Sequence, residues 1–134
     1  MSQIETIMLI DDNRADNFYH EVVIKKADFS GELFVFQYAG DALSFLKTVE
    51  HSIDLILLDI NMPRMSGFEF LAAYHTLLTP EQRAKAIIIM LTTSLNPADE
   101  ARAKAHPDVK GFLNKPLTPT GFQEIVRDFF KEMQ

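Results

Sequence analysis

The sequence predicts a single α/β domain built on a parallel sheet. Short apolar runs rich in Ile, Leu, Val and Phe alternate five times with stretches of helical periodicity, which is the pattern of consecutive βα units. The chain has 134 residues, 47% of them hydrophobic, enough to bury one sizeable core. It contains no cysteine, so disulfides and thiolate metal sites are excluded.

Five apolar runs are predicted to be strands: Ile4–Ile10, Leu33–Tyr38, Ile53–Leu58, Ala86–Leu91 and Val109–Leu113. The first, third and fourth are apolar almost throughout, as is typical of central strands that are covered on both faces. The second run is more mixed and the fifth is shorter, so we expect these two strands at the edges of the sheet.

Helices are predicted between the strands, and the first two occupy Asn13–Ala27 and Asp41–Val49. A third begins at a capping-box pattern that starts at Ser66. The segment 72–86 is longer than one helix requires, and Thr79-Pro80 within it predicts a stop followed by an extra turn of helix or a loop.

The last two helices each begin with a capping residue before a proline, at Asn96-Pro97 and Thr118-Pro119. The final helix has the clearest amphipathic pattern, an apolar stripe made by Phe122, Ile125, Val126, Phe129, Phe130 and Met133. Core packing is the first interpretation of this stripe, and contact of part of it with a partner protein is the second.

Charge and hydropathy exclude several classes of function. The net charge is −6 and the thirteen Lys and Arg residues are scattered, so we expect no nucleic-acid binding. Because the apolar runs are only strand-length, we expect neither a membrane span nor a secretory signal, and therefore a cytoplasmic location. The histidines have no metal-binding spacing and are interpreted as surface or structural residues: His20, His51, His75 and His106.

Polar residues follow four of the predicted strands at the point where each strand ends. In chain order they are Asp11, Asp12, Asp59, Asn61, Thr92, Thr93, Ser94, Asn114 and Lys115. Parallel strands end at one edge of the sheet, where such folds bind ligands, so we expect these side chains to meet there. Taken singly, each has an ordinary explanation as a helix cap, a turn residue or a solvated lysine, but the combination favours one site.

Three carboxylates at one edge require a compensating cation. Acids about 4 Å apart repel by roughly 4 kcal/mol per pair at an effective dielectric near 20. Because hard oxygen ligands with room for water suit Mg²⁺, Asp11, Asp12 and Asp59 predict a magnesium site. A carboxylate beside Mg²⁺ can attack phosphorus and form an aspartyl phosphate, and Asp59, which is central, is the predicted nucleophile. Lys115 and the hydroxyl of Thr92 would neutralise charge on the transferring oxygens.

The sequence resembles a response-regulator receiver domain of two-component signalling, of the stand-alone chemotaxis-receiver type, over essentially its whole length. Four motifs carry the resemblance: Leu9-Ile10-Asp11-Asp12-Asn13, Leu57-Leu58-Asp59-Ile60-Asn61-Met62-Pro63 with Gly67, Met90-Leu91-Thr92-Thr93, and Gly111-Phe112-Leu113-Asn114-Lys115-Pro116. Each motif is weak alone, but four in the correct order at compatible spacing are a strong signal. The resemblance implies a flavodoxin-like, doubly wound (βα)5 sandwich with strand order 2-1-3-4-5.

By resemblance, Asp59 would accept a phosphoryl group from a sensor histidine kinase or a histidine phosphotransfer protein. Asp12 and Asp59, with the main-chain carbonyl of Asn61, would hold Mg²⁺, and Asp11 would act largely through a bound water. Asn61 would also tune the lifetime of the phosphoryl group, together with Thr93 and Ser94. Thr93 stands where the family usually has a small residue, which predicts narrower access to the phosphoryl group.

The resemblance also implies a conformational switch. Lys115 would contact the phosphoryl group, and the Lys115-Pro116 bond would be cis. Thr92 would close on a phosphoryl oxygen while Phe112 turned inward behind it. The signal would reach the face formed by the fourth helix, fifth strand and fifth helix of the family, where a downstream protein, or a second copy in a phosphorylation-dependent dimer, would bind.

We expect residues 1–134 to form one receiver domain with no output domain, a signalling protein that catalyses only its own phosphorylation and dephosphorylation. Two alternatives stay open. One is a degenerate receiver that acts as an adaptor without being phosphorylated, although its acids and lysine all remain. The other is a phosphatase of the haloacid dehalogenase type, which normally has a second acid where this chain has Asn61 and also carries a cap.

Overall fold

The computed structural model of the protein describes residues 4–48 and 53–130. The predicted features at Val49, His51 and Met133 lie outside the described residues. The strands are β1 Thr6–Ile10, β2 Glu32–Phe36, β3 Leu55–Leu58, β4 Ile87–Thr92 and β5 Val109–Asn114. The helices are α1 Arg14–Lys26, α2 Ala39–Thr48, α3 Gly67–Leu77, α4 Pro80–Ala84, α5 Pro97–Ala105 and α6 Pro119–Phe130.

The five strands form one parallel sheet in the order β2-β1-β3-β4-β5. This confirms the predicted fold class, including the placement of the second and fifth strands at the edges. Side chains alternate between the two faces along each central strand. One face packs against α2, α3 and α5, whereas the other packs against α1 and α6. The sheet is therefore buried between two helical layers, which explains why the central strands are apolar throughout.

Strand ends differ from the prediction by one or two residues, and the differences have local causes. β1 and β3 begin later than predicted because the Asp54 carboxylate accepts the N–H groups of Glu5 and Thr6, at 2.8 and 3.2 Å. β2 ends earlier because the carbonyl of Tyr38 already accepts a hydrogen bond from Ala42 at the start of α2.

The helix starts follow the predicted capping signals. Ser66 forms a complete capping box before α3, and Asn96 caps α5. Thr118 accepts the N–H of Gly121 at 2.9 Å at the start of α6. A second capping box, between Thr79 and Gln82, starts the extra helix α4. Because α4 is an addition, the signalling face implied by the resemblance corresponds here to α5, β5 and α6.

The apolar stripe on α6 is divided between core and surface. Phe122 and Ile125 are buried, and Val126 and Phe130 pack partly against the same core layer. Phe129 is 37% exposed, so core packing accounts for most of the stripe but not for all of it. None of the helices in the described part of the chain is long and apolar enough to cross a membrane.

Candidate functional site

The ends of β1 and β3 bring three carboxylates together. The N–H of Asp11 donates to Phe36 on β2, and that of Asp59 donates to Ile10 on β1, each at 3.0 Å. These bonds continue the sheet ladder up to the acids and hold their backbones in place. Carboxylate oxygens of Asp11, Asp12 and Asp59 lie within 4.8 Å of one another, and Asp11 and Asp59 are buried.

Asn13 caps α1, so the cap is not provided by its neighbour Asp12. The Asn13 side chain accepts the N–H of Asp16 at 3.0 Å, while its own N–H donates to Asp11 Oδ1 at 2.9 Å. Asp12 is half-buried and its carboxylate belongs to the acid cluster. The ordinary explanation of Asp12 as a helix cap is therefore excluded.

The loop from β3 to α3 passes close behind Asp59. The N–H of Gly67 donates to the carbonyl of Ile60 at 2.7 Å, and a Cβ at Gly67 would collide with the carbonyl oxygen of Asp59. Only glycine fits this close approach. In the same loop Arg64 has a left-handed backbone with φ 71°, and its guanidinium lies 4.7 Å from the centre of the Tyr38 ring.

Lys115 is the cation of the acid cluster. Its Nζ lies 2.5 Å from Asp11 Oδ2, 2.9 Å from Asp16 Oδ2 and 3.5 Å from Asp59 Oδ2. The side chain is only 8% exposed, and the Lys115-Pro116 peptide bond is cis, the geometry that the resemblance implies. Sequence reasoning missed Asp16, because an acid in the first turn of a helix is usually explained by the helix dipole.

The charges of the cluster are unequally balanced. Burial, followed by the charge of Asp11, raises the pKa of Asp59 to about 6, although Lys115 opposes this shift. Burial also disfavours the charge of Lys115, but hydrogen bonds to Asp11 and Asp16 outweigh it and raise the pKa of the ammonium. One buried ammonium thus leaves excess negative charge among the carboxylates. Such hard oxygen donors fit a divalent cation such as Mg²⁺.

The end of β4 lies next to that of β5 and supplies hydroxyl groups. Thr92 is fully buried; its carbonyl accepts the N–H of Lys115 at 2.8 Å, and its Oγ1 accepts the N–H of Ser94 at 3.1 Å. The Ser94 hydroxyl donates to Asp99 at 2.6 Å, so it is engaged at the start of α5. Thr93 is exposed.

Two further predicted residues lie near the strand ends. Asn61 is exposed, immediately after the buried Ile60. Phe112 is half-buried, lies opposite Met90 in the β4–β5 register and packs against the core layer of α2, α3 and α5. The structure therefore brings Asp11, Asp12, Asp59 and Lys115 into one cluster, and does not include Asn61, Thr93 or Phe112 in its contacts.

A small cavity with both polar and apolar lining residues lies beside Asp11 and Asp59 and was not predicted. It has a volume of about 10 Å³ and is lined by Asp11, Asn17, His20 and Asp59, together with apolar strand residues. Asn17 Nδ2 donates to the carbonyl of Asp11 at 2.8 Å, and burial lowers the pKa of the His20 imidazole. The sequence signal was a pair of polar residues on the sheet-facing side of α1, which is otherwise apolar.

The family model of the response regulator receiver domain matches residues 7–127. The chain belongs to this receiver family. It is 30% identical to the response regulator Rcp1 of Synechocystis over 97% of this chain and 84% of Rcp1. It is 34% identical to the cyclic di-GMP phosphodiesterase response regulator RpfG of Xanthomonas campestris, but spans only 28% of that protein.

Solved receiver structures have the same fold. A two-component response regulator from Cytophaga hutchinsonii superimposes with a TM-score of 0.87 at 27% identity, covering 97% of this receiver and 99% of that chain. The Mn²⁺-bound form of Rcp1 superimposes with a TM-score of 0.76 at 26% identity, covering 97% and 96%. This protein is therefore a receiver domain of two-component signalling, and its acid cluster has the donor chemistry of a divalent-cation site.

Proposed function

We propose that this receiver accepts a phosphoryl group on Asp59 from a phosphohistidine of a sensor histidine kinase or a histidine phosphotransfer protein. The observation that carries the proposal is the cluster of Asp11, Asp12 and Asp59 within 4.8 Å, with Lys115 beside it. A carboxylate oxygen of Asp59 would form the new P–O bond as the P–N bond to the donor imidazole breaks. The electron pair of the broken bond would leave with that imidazole.

The acid cluster would also hold the cation that the transfer requires. Asp12 and Asp59, with the main-chain carbonyl of Asn61, would bind Mg²⁺, and Asp11 would act largely through a bound water. When bound, Mg²⁺ neutralises charge on the phosphoryl oxygens. The support from this chain is the excess of buried carboxylate over ammonium and the raised pKa of Asp59.

Lys115 and Thr92 would stabilise the phosphoryl group once it is attached. Lys115 Nζ is already 3.5 Å from Asp59 Oδ2, so a small movement brings the ammonium to a phosphoryl oxygen. The Thr92 hydroxyl accepts a hydrogen bond from Ser94 and retains its own proton for donation. Asn61, Thr93 and Ser94 would tune access and therefore the lifetime of the phosphoryl group.

The output would be a change of the face formed by α5, β5 and α6. Thr92 would move toward the phosphoryl group and Phe112 would turn inward, altering the surface presented to a partner. A groove of about 230 Å³ between β5 and α6, lined in part by Phe112, Ile125 and Phe129, supports a protein-binding role for this face. The partner would be a downstream protein or a second copy of the receiver.

The experiment is phosphorylation by acetyl phosphate with Mg²⁺, followed by intact-mass measurement. Wild type is expected to gain one phosphoryl group of about 80 Da, and Asp59→Asn is expected to gain none. Asp41→Asn is the matched control, because Asp41 is an exposed aspartate on α2, and it should be labelled like wild type.

Two outcomes would favour the alternatives. An unlabelled wild-type protein that is folded would support a degenerate receiver acting as an adaptor. Rapid turnover of many phosphate esters would instead support a phosphatase of the haloacid dehalogenase type.

A further inference from the structure

We propose that Asp16 is a positioning residue that holds the ammonium of Lys115 on the α1 side of the acid cluster and competes with the phosphorylated Asp59 for it. The functional half of this inference rests on the proposed phosphoacceptor role of Asp59. The structural half rests on the geometry of Asp16 and Lys115 alone.

The three carboxylate contacts of Lys115 differ in length. Nζ lies 2.5 Å from Asp11 and 2.9 Å from Asp16, but 3.5 Å from Asp59. Hydrogen bonds from an ammonium to a carboxylate normally span about 2.7–2.9 Å, so the two short contacts are strong bonds and the third is a looser ion pair. Before phosphorylation the ammonium is therefore held mainly by Asp11 and Asp16.

Asp16 is fixed where it can make this contact. Its N–H donates to the capping side chain of Asn13 at 3.0 Å, and the next residue, Asn17, donates from Nδ2 to the carbonyl of Asp11 at 2.8 Å. The first turn of α1 is thus tied to the end of β1. The Lys115–Asp16 bond joins this turn to a residue 99 positions later in the chain.

Phosphorylation would redistribute the ammonium. A phosphoryl group on Asp59 adds negative charge, and Lys115 has to move toward it to make a short bond, which lengthens the contact with Asp16. The carboxylate of Asp16 opposes this movement and also repels the phosphoryl group. Replacing it by the neutral, equally sized asparagine should therefore favour the phosphorylated arrangement.

The test uses the full chain with Asp16→Asn, the charge-retaining variant Asp16→Glu and the control Glu21→Gln. Glu21 is an acid on the same helix that pairs with Lys25 at 2.8 Å. The Asp16 and Glu21 side chains are similarly exposed, 35% and 33%. Thermal melts establish first that each variant is folded. If Asp16→Glu disturbs the start of α1, the comparison of Asp16→Asn with Glu21→Gln still tests the role of Asp16.

The first measurement follows Lys115 without any phosphoryl group. In wild type its side-chain ammonium is buried and hydrogen-bonded, so its ¹⁵N resonance should be resolved and slow to exchange with water. Loss of that resonance in Lys115→Arg assigns it. Asp16→Asn should shift it and speed its exchange, whereas Glu21→Gln should leave it unchanged. An unaltered resonance in Asp16→Asn would overturn the inference.

The second measurement is the affinity for beryllofluoride, a phosphoryl mimic, titrated with Mg²⁺ and followed by ¹⁹F NMR. Asp16→Asn should bind it about 3- to 10-fold more tightly than wild type, while Glu21→Gln and Asp16→Glu should stay near wild type. Equal or weaker binding by folded Asp16→Asn would contradict the proposed competition. Absence of binding in every variant would refute the phosphoacceptor role instead. The Lys115 resonance would then be the test of whether Asp16 positions the ammonium.

Discussion

At the edge of the sheet where the strands end, the carboxyl edge, one ammonium lies among four carboxylates. At the opposite edge, where the strands begin, one carboxylate lies near a guanidinium and two imidazoles. Lys115 is the ammonium of the first group. Asp108 is the carboxylate of the second, 3.4 Å from Arg83 and 3.1 Å from His75. The N–H of Asp108 also donates to His106 at 3.1 Å.

The two groups differ in what their charges accomplish. Asp108 precedes β5, Arg83 lies on α4 and His75 lies on α3, so the balanced group joins three elements and has little use for a further ion. The group around Lys115 has excess negative charge, and burial, followed by the charge of Asp11, raises the pKa of Asp59. A buried group of carboxylates with too few cations destabilises the cation-free protein, and a bound cation can neutralise the excess charge. One edge therefore joins elements of the fold, whereas the other has the excess negative charge of a candidate cation site.

The largest expected effect tests the backbone of the carboxyl edge. Gly67→Ala should reduce the free energy of unfolding by about 2 to 3 kcal/mol, because the added methyl collides with the Asp59 carbonyl and forces a backbone shift. Urea denaturation measures this loss of unfolding free energy. The control is Gly40→Ala on α2, where a Cβ meets nothing within 4 Å. Equal effects of the two substitutions would contradict the close approach at Asp59.

Removing the carboxylate of the balanced edge should cost somewhat less. Asp108→Asn leaves the largely buried guanidinium of Arg83 without its ion pair and is expected to lower the free energy of unfolding by about 2 kcal/mol. Glu81→Gln, an exposed acid on α4, is the matched control. Labelling of the folded variant by acetyl phosphate should be unchanged, and its loss would show that the two edges are coupled.

Removing a carboxylate from the unbalanced edge should have the opposite sign. Without divalent cations at pH 7.5, Asp59→Asn is expected to stabilise the protein by about 1 to 2 kcal/mol, because it removes a buried charge. The loss of the ion pair with Lys115 offsets only part of this gain. The pKa of Asp59 is raised from 3.8 to about 6 in the folded protein. The folded state therefore binds more protons between these values, and stability present below pH 4 is lost as the pH rises through 6.

The pH dependence checks that explanation. The advantage of Asp59→Asn over wild type, measured by thermal melts, should shrink as the pH falls from 7.5 to 4. Destabilisation of the variant at pH 7.5 would mean that the charge of Asp59 is compensated by its neighbours, as that of Asp108 is. The proposed difference between the two edges would then be wrong.

The smallest expected effect is that of the cation. Roughly 5 mM Mg²⁺ should stabilise wild type by about 1 kcal/mol for a site of about millimolar affinity, by mass action. Asp12→Asn should abolish this shift, while Asp108→Asn should retain it. A shift that persists in Asp12→Asn would place cation binding outside the acid cluster.

Much of this site followed from topology alone. Four of the five predicted strands were followed by polar residues, and parallel strands bring their carboxyl ends to one edge, so Asp11, Asp59 and Lys115 were expected to meet before any distance was known. The edge positions of β2 and β5 followed in the same way from their mixed or short apolar runs. Such predictions depend on strand direction and hydrophobic pattern, both of which are local properties of the chain.

What the sequence did not predict depends on long-range contacts. Asp16 lies 99 residues from Lys115, and its local position in the first turn of a helix has a sufficient explanation of its own. His75 and His106 have no metal-binding spacing, yet their rings lie 6.1 Å apart. Their interpretation as surface or structural residues agrees with the bonds to Asp108, whose carboxylate contacts His75 and whose main-chain N–H donates to His106. The sequence did not identify Asp108 as their shared partner.

The separation of roles between Asn13 and Asp12 has an evolutionary consequence. Asn13 supplies the cap of α1, so Asp12 is not needed to start that helix. One substitution at Asp12 would therefore abolish the proposed cation binding while the fold stays intact. A receiver that binds its partner constitutively could thus arise from a responsive ancestor by this one substitution. The reverse substitution would restore the response.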